Sequence, residues 1–329
     1  MSTAPAAERG VVLEGTGGVW RVLTDGGVTR DASLRGRLKK ADSGRRSDGG
    51  RRRDTVRAGL ETVKLAVGDE VLVEPGERGD DAWAITEILP RRSRLARRSP
   101  GGGWGERVVI ANVDQVVVVF AVAEPEPHPR MVDRFLVIAE ANQLQARLVV
   151  NKVELTGVEA ARERFDPFER AGYPVHYTSV REGTGIAGLR DVLAGRISAL
   201  TGPSGVGKSS LINAIYPGTE LRVGEISRSV MKGRHTTVGA LLTPLPGGGF
   251  VADTPGLREV GLWGLPTSEL DHLFPEFRPH LERCRFVDCA HRREPDCAVR
   301  AAVDSGEVSA ERYESYLKLR EELEEMERW

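Results

Sequence analysis

The chain has 329 residues, 40% hydrophobic and 29% charged, with a net charge of −1; that is a globular composition, long enough for two or three domains, and it excludes a disordered chain. The longest apolar run, VVVVFAVA at 116–123, is too short to span a bilayer, and MSTAPAAERG lacks the basic and apolar regions of a secretory signal, so a cytoplasmic protein is expected. The near-neutral total conceals segregation: residues 30–57 carry eleven Lys/Arg against four Asp/Glu, residues 91–107 six Arg against one Glu, and residues 304–328 nine acids against four bases.

Residues 10–90 alternate in the manner of strands between short turns: VVLEG, GVWRVLT, SLRGRLKK, TVKLAVGDEVLVEPG and AWAITEILP. This predicts a small β-barrel over residues 1–97, of the oligonucleotide-binding (OB) type or, on the pattern alone, SH3-like. The basic blocks predict a polyanion, RNA or DNA, as partner, with a solvated loop as the bland alternative. A mobile basic loop at about 35–57 that orders on phosphates satisfies both. Candidate contacts are Arg35, Arg37, Lys39, Lys40, Arg51, Arg52, Arg53, Arg91 and Arg92.

LPRRSRLARRSPGGGWG then reads as a linker. Over 98–265, apolar strand-like runs alternate with helical periods: VVVVFAV, MVDRFLVIAEANQ, ARLVVNK, VEAARERFDPFERAG, VHYTSV, GIAGLRDVLAG, RISALTG, SSLINAIYPG and GALLTPLPGGGFVADTPG. That is a doubly wound α/β sheet. Residues 266–329 return to helical patterns. The final run sets Tyr316, Leu319, Leu323 and Met326 on one face of an amphipathic helix.

Gly202-Pro203-Ser204-Gly205-Val206-Gly207-Lys208-Ser209, followed by Ser210, is a GxxxxGK[ST] phosphate loop between an apolar strand and a helix. Its glycines let backbone amides turn inward on phosphates, Lys208 supplies a point charge, and the Ser209 hydroxyl reaches Mg²⁺. Downstream, GFVADTPG offers Asp253 at a strand end to hold the magnesium through water, and Gly256, whose amide can approach a γ-phosphate. KGRHTTVG between them places Thr236 and Thr237 as switch candidates that complete the metal shell.

LVVNKVEL ends a strand in Asn151-Lys152-Val153-Glu154, the pattern by which GTPases read guanine, and VHYTSV adds Thr178 and Ser179 behind the base. The acid accepts from the ring N1–H and the exocyclic amine while the Lys stem covers the ring. Here these elements precede the phosphate loop rather than follow it. The constellation is complete but its chain order is rotated, as in a circular permutation.

In this order the pieces ILPRRSRLARRS, IANVDQVVVVFAV, GPSGVGKSSLIN, KGRHTT and DTPGLREVGLW, together with the cysteine cluster, resemble the bacterial circularly permuted GTPases of the RsgA (YjeQ) type, which act on the small ribosomal subunit. The resemblance covers nearly the whole chain. It implies an OB-type barrel, a monomer, the 30S subunit and its 16S rRNA as partners, and a role in late subunit maturation. GTP would drive docking, and its hydrolysis release. Glu154 departs from the usual Asp by one methylene, which bears on how tightly guanine is selected. Leu257 stands where a water-orienting Gln commonly follows DxxG. Intrinsic hydrolysis is therefore expected to be slow, with His235 the candidate to position water.

CRFVDCAHRREPDC spaces Cys284, Cys289, His291 and Cys297 as C-x4-C-x-H-x5-C, a closed tetrahedral zinc set of the structural kind. An odd count of three cysteines fits disulfides poorly. His272 and His280 are expected on the surface of that domain. Two rivals to a subunit-stimulated GTPase are a nucleotide-gated RNA-binding factor with incidental hydrolysis and a P-loop kinase. The kinase would need an acceptor site and an arginine-rich lid, and the sequence offers neither.

Overall fold

The structure, a computed structural model, describes residues 7–35, 38, 64–76, 82–98, 106–218, 240–253 and 265–328. Of the candidate residues, Arg37, Lys39, Lys40, Arg51, Arg52, Arg53, His235, Thr236, Thr237 and Gly256 lie outside these, and of Asp253 only the backbone is described. The chain forms two compact units, the barrel with residues 108–112 in one and the larger sheet with the C-terminal helices in the other. Among the described residues no helix is long and apolar enough to cross a membrane.

The barrel comprises β1 (Glu8–Thr16), β2 (Val19–Thr24), β3 (Thr29–Leu34), β4 (Glu70–Pro75) and β5 (Trp83–Ile88). It closes in the order β1-β2-β3-β5-β4, with β3 and β5 parallel and the other pairs antiparallel. That single parallel pair marks the OB arrangement over the SH3-like one. Alternation sends Val12, Val22, Ala32, Leu34, Val71, Val73 and Ile85 inward to form the core.

Arg91, a candidate RNA contact, is committed elsewhere. Its Nε and Nη2 donate to the fully buried Asp69 carboxylate at 2.6 and 2.8 Å, and Nη2 also reaches the Lys64 carbonyl at 2.6 Å. A bidentate pair to a buried carboxylate is a structural clamp on the Gly68-Asp69 turn. Arg35 and Arg92 are exposed, Arg35 with Nη1 3.3 Å from Glu74.

The stretch read as a linker is more ordered than that. Residues 94–98 and 106–111 form β6 (Arg94–Arg98) and β7 (Glu106–Ala111), paired as a two-stranded sheet. The density of Arg there hides the first of these strands, RLARR, and the second, ERVVIA, follows directly after the linker stretch.

The larger sheet is built from β8 (Gln115–Ala121), β9 (Gln145–Asn151), β10 (Val175–Thr178), β11 (Ile197–Thr201), β12 (Leu241–Pro244) and β13 (Phe250–Asp253), in the order β10-β9-β8-β11-β13-β12. β10, β9, β8, β11 and β13 are mutually parallel. β8 is buried along its whole length, as a central strand covered on both faces requires. Helices α1 (Pro129–Ala141), α2 (Val158–Arg170), α3 (Ile186–Leu193) and α4 (Lys208–Ile215) provide the crossovers.

Beyond the sheet come three 3-10 turns and helices α5 (Arg278–Leu281), α6 (Ala298–Asp304) and α7 (Ala310–Glu327). Ser309 caps α7 by accepting from the Arg312 amide; of the predicted face Tyr316, Leu319 and Leu323 are buried, while Met326, in the last turn, is half-buried. The same helix buries Arg312, which is 2% exposed and pairs with Asp133 of α1 and Glu276. His272 is exposed as expected, but His280 is not. It is buried, with Nε2 3.8 Å from Glu307 and its carbonyl accepting from the Cys284 thiol.

Candidate functional site

The chain runs outward from β8 through β9 to β10, then returns to the other side of β8 as β11. The strand order therefore reverses between β8 and β11, and the crevice beyond the carboxyl ends there is where open α/β sheets bind ligands. The predicted motifs lie at those ends. The loop from Gly202 leaves β11, Asn151 closes β9, Thr178 closes β10 and the Asp253 backbone closes β13 beside Leu200.

Glycine is required at two loop positions. A Cβ on Gly202, at φ +136°, would fall 2.0 Å from the Val119 carbonyl oxygen of β8. One on Gly207, at φ +95°, would fall 2.5 Å from the Asn151 amide nitrogen. Between them Val206 is fully buried in the core with Leu211 and Ile212, while Ser204, Gly205 and Ser210 face solvent. The Lys208 ammonium lies within the loop, donating to the Gly202 and Pro203 carbonyls at 2.9 and 2.7 Å. Lys208 and Ser209 open α4, whose positive end faces the same loop. A curl of amides around an ammonium at a helix start can hold a polyphosphate.

The early NKVE motif is joined directly to this loop. The Asn151 side-chain amide donates to the Val206 carbonyl at 2.9 Å and its oxygen accepts from Thr178 Oγ1 at 3.1 Å. Two strand ends and the phosphate loop thus share one buried side chain. Lys152 sits at φ +63° and its ammonium donates to the Glu124 carbonyl. The turn Val153–Leu155 carries Glu154, whose Oε2 is buried without a hydrogen-bond partner among the described residues. A buried, unpaired carboxylate oxygen costs free energy unless a donor arrives, and the adjacent N1–H and amine of guanine are such donors. Ser179 supports the turn behind it, accepting from the Glu182 amide at 3.1 Å.

A second cluster lies in the C-terminal region. The ligand atoms of Cys284, Cys289, His291 and Cys297 all lie within 4.8 Å of one another. His291 Nδ1 is 3.3 Å from the Cys297 sulfur and 3.7 Å from that of Cys284. Donors around a tetrahedral ion with bonds of about 2.0–2.3 Å stand roughly this far apart. Burial, with the neighbouring thiols adding to it, pushes the Cys289 thiol up to about 12. A bound divalent cation reverses that penalty by stabilising thiolate, so the donor set fits a metal and is poorly served without one.

Asp271 escapes sequence reasoning. Its Oδ2 lies 3.3 Å from His291 Nε2, leaving Nδ1 to face the sulfurs. Burial works to raise its pKa, but hydrogen bonds from His291 and the His272 amide prevail and hold the carboxyl below its usual range. A carboxylate behind a ligating imidazole fixes its tautomer and strengthens it as a donor. Asp271→Ala should therefore weaken metal retention by about 10- to 100-fold in a chelator competition, with Asp271→Asn intermediate. No spacing rule singles out an acid so far ahead of the cluster.

Comparison with known proteins agrees with this geometry. The family model described as RsgA GTPase matches residues 88–263. The chain is 57% identical to the small ribosomal subunit biogenesis GTPase RsgA of Gemmatimonas aurantiaca over 314 residues, covering 95% of this chain and 97% of that one. The crystal structure of YjeQ from Thermotoga maritima superposes with a TM-score of 0.72 at 34% identity, covering 97% of this chain and 99% of that one. YloQ, a circularly permuted GTPase, shares the fold at a TM-score of 0.71 and 24% identity, covering 99% and 98%. A strand order in which the base-reading half precedes the phosphate loop, together with these matches, gives the lineage: the chain belongs to the RsgA GTPase family.

Proposed function

We propose that this chain binds the small (30S) ribosomal subunit, assists its late maturation, and hydrolyses GTP to GDP and phosphate there, docking in the GTP state and leaving after hydrolysis. The observation that supports the reading is the Asn151–Val206 hydrogen bond, which joins the start of the NKVE turn to the phosphate loop, as a single guanine-nucleotide site requires. In this reading Asn151, Lys152, Val153, Glu154, Thr178 and Ser179 enclose the base, and residues 202–210 enclose the phosphates. Mg²⁺, held by Ser209 and Asp253 with Thr236 or Thr237, neutralises charge on the β- and γ-oxygens. Gly256 approaches the γ-phosphate and His235 positions water. Zn²⁺ on Cys284, Cys289, His291 and Cys297 is structural. Arg35, Arg37, Lys39, Lys40, Arg51, Arg52, Arg53 and Arg92 meet 16S rRNA, and Arg91 clamps the Gly68-Asp69 turn. The protein acts as a cytoplasmic monomer.

The test is hydrolysis of GTP against ATP by the purified chain, with and without small subunits. A slow GTP rate that rises steeply only with subunits is expected. Lys208→Ala should lower the stimulated rate by about 10²- to 10³-fold, since it removes a charge aimed at the transferring group. Equal use of ATP, or indifference to subunits, would overturn the reading. Leu257, which cannot orient water, favours one alternative, a nucleotide-gated RNA-binding factor with incidental hydrolysis. Under that alternative, a variant that binds GTP but cannot hydrolyse it leaves the subunit as fast as the wild type.

A further inference from the structure

The segment 122–126, which leaves β8, passes beside both halves of the nucleotide pocket. Its Val122 has both backbone groups engaged, the amide donating to the Asn151 carbonyl at 2.8 Å and the carbonyl accepting from Arg164 Nη1 at 3.2 Å. Two residues on, the Glu124 carbonyl accepts the Lys152 ammonium. Next to it, Pro125 Cδ lies 3.8 Å from where a Cβ on Gly205 would stand, so the proline ring borders the phosphate loop. At the far end the Glu126 carboxylate accepts from Arg164 Nη2. Arg164 therefore grips this strap at both ends from α2, and between its two holds the strap touches Lys152 and flanks Gly205.

We infer that Arg164 is a positioning residue for the nucleotide base, acting through the strap to hold the Lys152 stem where it covers the purine. The inference rests on the guanine-site reading above. A free lysine side chain samples many rotamers, and ordering one on binding weakens affinity. Anchoring the Lys152 ammonium to a fixed carbonyl meets that cost beforehand. The Arg164–Glu126 pair is exposed and contributes little as an ion pair. The fork's value lies in the second hold, on a backbone carbonyl, which fixes the direction of the chain rather than its charge.

The test is equilibrium titration of the full chain with fluorescently labelled GDP, using the wild type, Arg164→Ala, Lys152→Ala and the double variant. Arg164→Ala should weaken binding by about 3- to 10-fold with an unchanged melting temperature. The double variant should bind no worse than Lys152→Ala alone, because the effect passes through that lysine. Glu126→Gln, which spares the hold on Val122, should give a smaller loss in the same direction. Wild-type affinity in Arg164→Ala, or losses that simply add in the double variant, would overturn the inference while leaving the guanine site intact. Failure of the wild type to bind labelled GDP would instead remove the reading on which it rests.

Discussion

Stripping the proposed structural zinc from the chain should unfold residues 284–304 while leaving the six-stranded sheet standing. Elements between Cys284 and Asp304 bury little: α6 contributes Val299 and Ala302, and α5 just before them is a single turn. Segments with so small a core depend on a tie that cannot form in the unfolded chain, and a structural zinc ion contributes about 10–16 kcal/mol in small zinc-binding peptides. That is comparable to the entire stability of an ordinary domain, about 5–15 kcal/mol. Hydrogen exchange before and after chelation is the measurement. Amides of 284–304 should lose protection, those of β8, β9 and β11 should keep it, and three reactive thiols should appear. Cys297→Ser should reproduce the pattern without chelator. Protection unchanged after complete metal removal would mean that the aromatic packing of Phe274, Phe277, Tyr313 and Tyr316 around His291 holds the region unaided.

The parts of this molecule that are legible in sequence are those whose physics is local. A phosphate loop needs glycines and a lysine at fixed spacing between a strand and a helix, so GPSGVGKSS shows itself. NKVE is common as a string, and it gains meaning from the strand that ends in it. The four candidate metal ligands fall within a single short run. The barrel strands are visible by alternation, although choosing OB over SH3-like required the β3–β5 pairing, a contact between residues about fifty apart. What stays hidden depends on distant charges finding each other. Arg91 reads as one more cation in RRSR until Asp69 is seen beneath it. Asp271 is one acid among many until it stands behind His291. β6 is hidden because an arginine-rich strand has the composition of a linker.

Arg312 is the clearest such case, and replacing it should have a large effect on stability although it lies in neither the proposed nucleotide site nor the cysteine cluster. It looks like any charge on an acidic amphipathic helix, yet it is 2% exposed, joined to Asp133 and Glu276 and packed against Phe168, Tyr173 and Phe274. Burial opposes its charge, but the two carboxylates more than offset this and raise its pKa. Burial likewise lifts Asp133 to about 6, against the pull of Arg312. Arg312→Ala should therefore destabilise the chain by about 3–5 kcal/mol, because it strands two carboxylates, one of them fully buried. That corresponds to a melting temperature lower by roughly 10 °C for a unit of this size. The penalty has a pH signature. Without Arg312 the Asp133 pKa rises further above its unfolded value, so the folded variant binds a proton more readily than the unfolded chain. Its stability should recover as pH falls from 8 through 6 towards 4, and the gap to wild type should narrow on acidification. Replacing all three groups by apolar residues of similar volume should recover most of the loss at pH 8, since no charge is then left unpaired. A gap that stays constant with pH, or a triple variant as unstable as the single, would place the cost in lost aromatic packing around the guanidinium instead of in stranded charge. Those two measurements therefore distinguish an electrostatic lock between α1 and α7 from a steric one.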